Sequence, residues 1–395
     1  MKTTIAKLLN ISAAFALCLA GTLCVTGCSN NASDDTADKG SVAAVLGDTS
    51  IYENDVTRQI EAIRAQYGYT DDSVWAMMLS MSDYTPETFR EYTIKSMTYD
   101  QVVPVAAAQK SVTVAAADVD AAVQKMKETY GLSDEQWATA LTNSGFTEES
   151  YRKTIELSLM EQALYDQVTA DAAITDEYFM TNGMPYVESY YGDIKRSSHI
   201  LFAPEDLATA QSVLAQLQAG TITFADAVAQ YSIDTGSAVA GGDVGWSGIH
   251  TFVDEYQTAL DQLAVGEMSG LVESQFGYHI ILCTDAFTYT ADTKVADLPT
   301  DVYDHICTNY LSSRVANDTY NDFIDGVRDG MGFTVYPMPQ GLSYDVDVEA
   351  ALAGLQDDHD HDHEGETAGT EISEGDDAAA AEGAAGADDA QKDAA

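Results

Sequence analysis

The chain is poor in basic residues, and this sets its first limit on function. Of its 395 residues, 18 are Lys or Arg and 64 are Asp or Glu, which gives a formal net charge of −46 at pH 7. Phosphate backbones repel such a protein, so we expect no nucleic-acid partner. The acidity is spread along the whole chain and favours solubility first, although it would also suit basic, unfolded partners.

Cysteine is scarce as well. Three of the five cysteines, Cys18, Cys24 and Cys28, lie in the first 28 residues, which leaves only Cys283 and Cys307 for a folded body. Two cysteines are too few for a disulfide framework. Because Cys283 lies in an apolar, strand-like run, we expect it to be a small buried hydrophobic residue.

Long apolar runs are absent except near the amino terminus. Two lysines precede a mostly apolar, uncharged stretch at 8–25, and the letters VTGC at 25–28 resemble a bacterial lipobox. This pattern predicts an export signal over residues 1–27 and a lipid on Cys28 that anchors the mature protein. An uncleaved membrane anchor is the weaker alternative, because a polar, Asp-rich tether follows at 28–40.

The first large segment, 41–184, is predicted to be mostly helical. It opens with two short strands at 42–51 that are joined by a Gly-Asp turn. Apolar residues then recur at helical spacing, and Pro at a first helical position marks one of the starts. Further helices are expected at 86–109, 116–130, 133–144, 148–169 and 175–182.

The carboxyl-terminal part divides into a helical segment and a tail. A helix is predicted over 300–328 and a short strand over 333–336, whereas 341–395 has almost no large apolar residues and should be disordered. Alternating imidazoles and carboxylates in the tail would suit weak binding of Zn²⁺, Ni²⁺ or Cu²⁺. The favoured interpretation is an acidic, solvated tail with incidental histidines. These histidines are His359, His361 and His363.

The most informative stretch is 199–282, because four short landmarks follow one another there. They are SHIL at 198–201, YSID at 231–234, GGDVGW at 241–246 and FGYHII at 276–281. In this order they resemble a parvulin-type peptidyl-prolyl isomerase domain, which we place at 197–285. The strand and helix patterns themselves indicate a small antiparallel sheet surrounded by helices, and the fold class is α+β.

The resemblance implies a site built from residues far apart in the sequence. His199 and His279 would form a pair at the floor of a proline pocket, Asp234 would face the substrate amide, and Ser274 would join their hydrogen-bond network. An apolar wall would bind the proline ring; its members are Val244, Phe252 and Tyr256. Each residue alone also fits a structural role, such as a core histidine, a helix cap or a core aromatic ring.

The implied reaction needs no cofactor, because it is rotation about a peptide bond. The histidines would act mainly as orienters in a hydrogen-bond network. No basic cluster lies near 202–204, so the pocket should accept unphosphorylated X-Pro bonds. The loop at 247–251 departs from the family pattern, which puts activity in question.

The opening strands and the following helices resemble the amino-terminal domain of PrsA- and SurA-type foldases. The same residues fit a generic helical bundle equally well, and their position ahead of the parvulin-like stretch favours the foldase. The resemblance also implies that a helical segment, 286–340, returns to complete the amino-terminal domain.

The sequence therefore predicts a lipid-anchored, extracytoplasmic foldase on a cell membrane, of the kind found on Gram-positive surfaces. Its partners would be unfolded or partly folded secreted proteins with X-Pro bonds, and the sequence leaves open whether it forms a homodimer. A holdase whose parvulin domain only binds is the first alternative. A metal-handling surface lipoprotein that uses its tail is the second.

Overall fold

The computed structural model describes residues 39–353. The predicted export signal, the lipid site Cys28 and the three tail histidines lie outside the described residues. The strands of the described part, β1 to β7 in chain order, are Val42–Leu46, Thr49–Tyr52, Asp193–Phe202, Asp243–Trp246, Val272–Ser274, Gly277–Thr288 and Phe333–Val335.

Helices make up most of the described chain, and local capping signals set several of their starts. Ser133 and Thr147 each accept the N–H of the residue three positions on and complete a capping box. The α-helices, α1 to α15, are Glu53–Tyr67, Asp72–Met81, Pro86–Met97, Tyr99–Gln109, Ala116–Thr129, Asp134–Asn143, Glu148–Val168, Asp176–Asn182, Met184–Tyr190, Leu207–Gln218, Phe224–Tyr231, Thr235–Ala238, Asp254–Asp261, Thr300–Ile306 and Ser312–Gly330.

Two long predicted helices are interrupted in the structure. The expected helix 86–109 is divided at Thr98 into α3 and α4. The expected helix 300–328 contains a π-helical turn, Cys307–Leu311, between α14 and α15. Neither break lies at a strong helix-ending signal. Hydrophobic periodicity alone therefore predicts one continuous helix in each case.

The described residues divide into two compact units. The first comprises 39–53 and 94–336, and the second comprises 54–93 and 337–353. This division differs from the sequence-based boundaries at 184 and 286, because it follows tertiary contacts between segments distant in the chain.

The first unit contains a three-stranded sheet with β1 at its centre. Antiparallel β2 and β7 flank it, so β7 returns from the end of the helical segment to pair with the start of the domain. The end of the segment after 285 thus lies beside β1 in this sheet. An apolar cluster joins the sheet to α4, α7 and α15; its buried members are Leu46, Val102, Ala106, Leu164, Tyr320, Ile324 and Val327.

The second unit is organised around Trp75, which is fully buried. Its indole Nε1 donates a hydrogen bond of 3.0 Å to the carbonyl oxygen of Tyr344, and the ring packs edge-to-face against Phe89 at 5.1 Å. Arg64 donates to the carbonyl of Ser343. The prediction that disorder begins at residue 341 is therefore wrong at its start, since Tyr344 is buried; residues 354–395 lie outside the described part.

Residues 185–196, between the predicted helical segment and the parvulin-like stretch, are ordered structure. Helix α9 occupies the first part of this range, and β3 already begins at Asp193. Val187, Tyr191 and Ile194 pack in one buried cluster with Trp246. The cluster fixes where β3 starts and therefore how the following sheet is placed.

Residues 193–288 contain a four-stranded antiparallel sheet in the order β4-β3-β6-β5. Alternate side chains of the two central strands face opposite sides, as the strand repeat requires. Ile200 and Ile280 pack under α10 and α11, whereas Ile281 and Cys283 face α13. The burial of Cys283 confirms its predicted place in the core. Along 39–353, no helix combines the length and apolar character needed to cross a membrane.

The return of α15 to the amino-terminal helices can be tested by removing one buried side chain. Ile324→Ala should lower the free energy of unfolding by about 2–5 kcal/mol, because it leaves a cavity in the cluster that joins α15 to α4 and α7. The matched control is Val105→Ala, an exposed apolar position on α4. Urea unfolding of both variants measures the difference, and equal losses would contradict the packing.

Candidate active site

The register of β3 and β6 brings together two histidines that are 80 residues apart. His199 pairs with Ile281 and Leu201 pairs with His279, so the two imidazoles are diagonal neighbours on one face of the sheet. Their Nδ1 atoms lie 3.1 Å apart, and both side chains are buried. The predicted histidine pair therefore exists as a direct contact.

Asp234 both caps a helix and contacts His199. Its Oδ1 accepts the backbone N–H groups of Gly236 at 3.1 Å and Ser237 at 3.4 Å, so it caps the short helix α12. Its Oδ2 contacts His199 Nε2 at 2.8 Å and accepts a 2.5 Å hydrogen bond from the Ser237 hydroxyl. The helix cap and the site residue, which the sequence presented as alternatives, are the same carboxylate.

The charge of Asp234 is fixed by these contacts. Burial by itself would raise the pKa of the carboxyl, but hydrogen bonds from Ser237 and His199 outweigh it and lower the pKa to about 2. Asp234 is therefore ionised at neutral pH and accepts a hydrogen bond from the imidazole of His199.

Ser274 closes the other end of the chain of contacts. Its Oγ lies 2.7 Å from His279 Nε2 and accepts the N–H of Phe276 at 3.1 Å. The structure thus brings together all four residues expected around the site floor. We call Ser237, Asp234, His199, His279 and Ser274 the histidine network.

Neutral imidazoles leave only one arrangement of protons in the histidine network. Because ionised Asp234 only accepts, His199 Nε2 must donate to it, and His199 Nδ1 is then an acceptor. His279 must donate from Nδ1 and accept at Nε2, so the hydroxyl of Ser274 donates to it. Every ring nitrogen is occupied within the network, and none is left for another partner.

The apolar wall, defined as Val244, Phe252 and Tyr256, lies beside the histidines. The Tyr256 ring contacts both imidazoles edge-on, with centroid distances of 5.8 Å to His199 and 5.4 Å to His279. Its hydroxyl is engaged with Ser197 Oγ at 3.0 Å, and the residue is only 3% exposed. Tyr256 therefore supports the network from the side, and Val244 and Phe252 are the half-buried members of the wall.

Two glycines permit the close backbone contacts around the site. Gly242 has φ +83°, and a Cβ atom there would lie 2.5 Å from the carbonyl oxygen of His199. Gly277 has φ +126°, and its Cβ would lie 2.0 Å from the carbonyl oxygen of Phe202. Any side chain at either position would displace β3, so the glycine-containing landmarks have a direct steric cause.

Sequence reasoning missed two hydroxyls of the site. Ser237 orients Asp234, and Ser197 holds the hydroxyl of Tyr256. An Asp followed three positions later by Ser, at the start of a short helix, was the local signal for the first. No local signal indicated Ser197, because its contact with the hydroxyl of Tyr256 depends on tertiary packing. Within 39–353, no group of three or more His, Cys, Asp or Glu side chains is arranged to hold a metal ion.

The buried imidazole predicts a pH dependence of stability. Burial, followed by repulsion from His199, lowers the pKa of His279 from 6.5 to about 4. Between pH 6.5 and about 4, His279 is mostly protonated in the unfolded chain and mostly neutral in the folded chain. The free energy of unfolding should therefore fall as the pH drops through this range. A second loss should follow between pH 3.8 and about 2 as Asp234 is protonated.

Urea midpoints at about pH 7 and about pH 5 measure the first of these losses. His279→Gln supplies the control, because it lacks the titrating ring and should lose less stability between the two pH values. Identical losses in the two chains would contradict the assignment.

Comparison with known proteins agrees with this geometry. Residues 199–285 match the family model of the PPIC-type PPIASE domain, and residues 2–165 match the SurA-like N-terminal domain. Foldase protein PrsA of Geobacillus sp. (strain WCH70) is 32% identical over 194 residues, which cover 49% of this chain and 62% of that protein. Foldase protein PrsA of Geobacillus kaustophilus (strain HTA426) is 34% identical over 171 residues, which cover 42% of this chain and 54% of that protein.

The chain spans between half and two thirds of the length of these two relatives. Among solved structures, peptidylprolyl isomerase (PrsA) from Bacillus anthracis is similar at 24% identity over 62% of this chain and 99% of that one, with a TM-score of 0.25. On the domain matches, residues 199–285 are a PPIC-type, or parvulin-type, peptidyl-prolyl isomerase domain, in a chain that has a SurA-like N-terminal domain and is similar to PrsA foldases.

Proposed function

We propose that this chain is an extracytoplasmic foldase, anchored through lipid on Cys28, that isomerises X-Pro bonds in secreted proteins. The observation that carries the proposal is the buried histidine network with the apolar wall beside it. The match of residues 199–285 to an isomerase domain supports the reaction, and similarity to PrsA foldases supports the wider role.

Isomerisation requires no covalent step, because the bond only rotates. Resonance gives the C–N bond partial double-bond character and a barrier of about 18–20 kcal/mol. A pocket accelerates rotation when it stabilises the twisted amide more than the planar one. The planar amide carries separated charge, so a dry wall around the proline ring disfavours it.

The histidine network supplies orientation and charge. An ionised Asp234 beside the substrate carbonyl would oppose the negative charge that resonance places on the oxygen, and would thereby weaken the double-bond character. Since every nitrogen of His199 and His279 is engaged internally, we infer that the two rings hold Asp234 in place and transfer no proton. This role agrees with the orienting role expected from the sequence.

The isomerase activity is tested with an unphosphorylated Ala-Pro peptide and the full chain purified in detergent. We expect acceleration that His279→Ala reduces by at least about tenfold, because losing this ring frees His199 and Asp234 to reorient. The matched control is His250→Ala, since His250 is an exposed histidine of the same domain. It should keep the full rate.

Circular dichroism of each variant separates loss of activity from loss of folding. A folded chain that accelerates no peptide would contradict the enzymatic proposal. Such a chain would instead have a domain that only binds, as in the holdase alternative.

A chaperone role accompanies the isomerase in this proposal. The foldase similarity supports unfolded proteins as partners. The helical part would hold unfolded segments through apolar surface while the isomerase domain acts on X-Pro bonds. The strongly negative charge would favour segments that carry Lys or Arg.

The lipid anchor is tested separately. Cys28→Ala removes the only sulfur of the predicted lipobox, so the exported chain should move from the membrane fraction to the soluble fraction. Cell fractionation with immunoblotting measures this shift, and Cys24→Ala, four residues earlier in the signal, is the matched control. Unchanged membrane retention of Cys28→Ala would overturn the proposed anchor.

A further inference from the structure

One residue of β3, Lys195, contacts both ends of the segment that carries Phe252 and Tyr256. We call this segment, residues 247–263, the wall segment, because two members of the apolar wall lie in it. At its start, the backbone N–H of Lys195 donates to Ser247 Oγ at 3.0 Å, and the carbonyl oxygen of Lys195 accepts the N–H of Ser247 at 2.9 Å. The loop whose sequence departs from the family pattern therefore begins at a fixed point on β3.

The side chain of Lys195 holds the other end of the wall segment. Its Nζ lies 2.8 Å from the carbonyl oxygen of Asp261, 2.7 Å from that of Leu263 and 3.4 Å from that of Leu260. These carbonyls lie at the end of α13, where helix carbonyls have no partner within the helix and carry partial negative charge. An ammonium group has three N–H donors and no acceptor. All three donors are thus used on the helix end, and none remains for a substrate.

Lys195 is one of three alternate residues of β3 that contact the wall segment. Ser197 Oγ lies 3.0 Å from the hydroxyl of Tyr256, and the rings of His199 and Tyr256 meet at a centroid distance of 5.8 Å. Alternate residues of a strand share a face, and this face of β3 meets α13. The Phe252 ring packs on Tyr256 at 4.8 Å. A shift of α13 along β3 would therefore move both aromatic rings relative to His199.

Apolar packing keeps α13 on the sheet independently of Lys195. Leu260 and Leu263 are buried in one cluster with Ile281 and Cys283 of β6. This attraction depends on the buried area and has no preferred direction. The hydrogen bonds from Lys195 depend on distance and angle, so they fix where the end of the helix lies. Without them, α13 should stay docked but be placed less precisely.

We propose that Lys195 is a positioning residue for the isomerase, which fixes the end of α13 and thereby sets the distance between the apolar wall and the histidine network. The inference rests on the proposed isomerase function and adds a residue that acts through Phe252 and Tyr256 without touching the substrate. The wall would bind the proline ring in both the planar and the twisted state. Misplacing it should therefore raise KM more than it lowers kcat.

The first test compares Lys195→Met with the parent chain, purified in detergent, on an unphosphorylated Ala-Pro peptide. Methionine keeps an unbranched apolar stem but has no N–H to donate. We expect KM to rise by about threefold or more and kcat to stay within about twofold. Lys195→Arg should keep KM within about twofold of the parent value, because a guanidinium retains the charge and several N–H donors. Exchange spectroscopy by NMR over a range of peptide concentrations gives both constants.

Two control variants separate positioning from destabilisation and from loss of charge. Val213→Ala removes buried apolar volume in α10, on the opposite face of the sheet, and should lower the urea midpoint. A smaller folded fraction lowers the apparent kcat and leaves KM unchanged, whereas a misplaced wall raises KM. Lys153→Met removes one positive charge from an exposed position of α7 and should change neither constant.

The imidazole of His279 reports the position of the wall independently of turnover. The Tyr256 ring covers it edge-on at 5.4 Å, and burial is the main cause that lowers its pKa to about 4. If α13 shifts in Lys195→Met, water reaches the ring and its pKa should rise towards 6.5. NMR of isotope-labelled histidine from about pH 7 to about pH 5 should then show His279 starting to protonate in this variant, but not in the parent chain or in Val213→Ala.

The outcomes separate this inference from the proposed function. If the parent chain accelerates no peptide, the isomerase proposal fails and the positioning role falls with it. If the parent chain is active and Lys195→Met changes neither KM nor kcat, the isomerase stands and the positioning role is overturned. A fall in kcat at unchanged KM, shared with Val213→Ala, would also overturn it, because Lys195 would then support folding alone.

Discussion

The 3.1 Å contact between His199 and His279 depends on the register of β3 against β6, and the rest of the site depends on that contact. Side chains alternate along a strand, so a slip of one residue would turn one imidazole to the opposite face. The apolar residues between and beside the histidines resist such a slip. Ile200 and Ile280 are buried under helices on one face, and Ile281 is buried on the other.

Two buried rings in contact are tolerated because each polar atom has a partner. Unpaired buried nitrogen atoms would destabilise the fold, and the network removes that cost by ending in Asp234 on one side and Ser274 on the other. The carboxylate in turn is held by the start of a short helix and by Ser237. The scaffold therefore holds one ionised carboxylate in a fixed position at the end of the histidine network.

The four-stranded sheet that carries the histidines lies, in sequence, between two segments that fold together. β1 near the start and β7 near the end of the described residues pair with each other, and α15 packs against α4 and α7. The parvulin-type domain is thus inserted within the helical part of the first unit. Trp246 packs in a cluster with Val187, Tyr191 and Ile194, which ties the inserted domain to the helix that leads into it.

The sequence by itself determined several helix starts and the glycine landmarks, because capping side chains and φ angles that only glycine adopts freely are local causes. Four residues of the histidine network were implied by the resemblance of the ordered motifs to a parvulin-type domain. Only the tertiary structure decided that Ser197 holds Tyr256, that Tyr344 is buried against Trp75, and that residues 184–197 are ordered. Such contacts join residues far apart in the chain, and no local pattern encodes which distant partner will satisfy a buried hydroxyl or cover an indole ring.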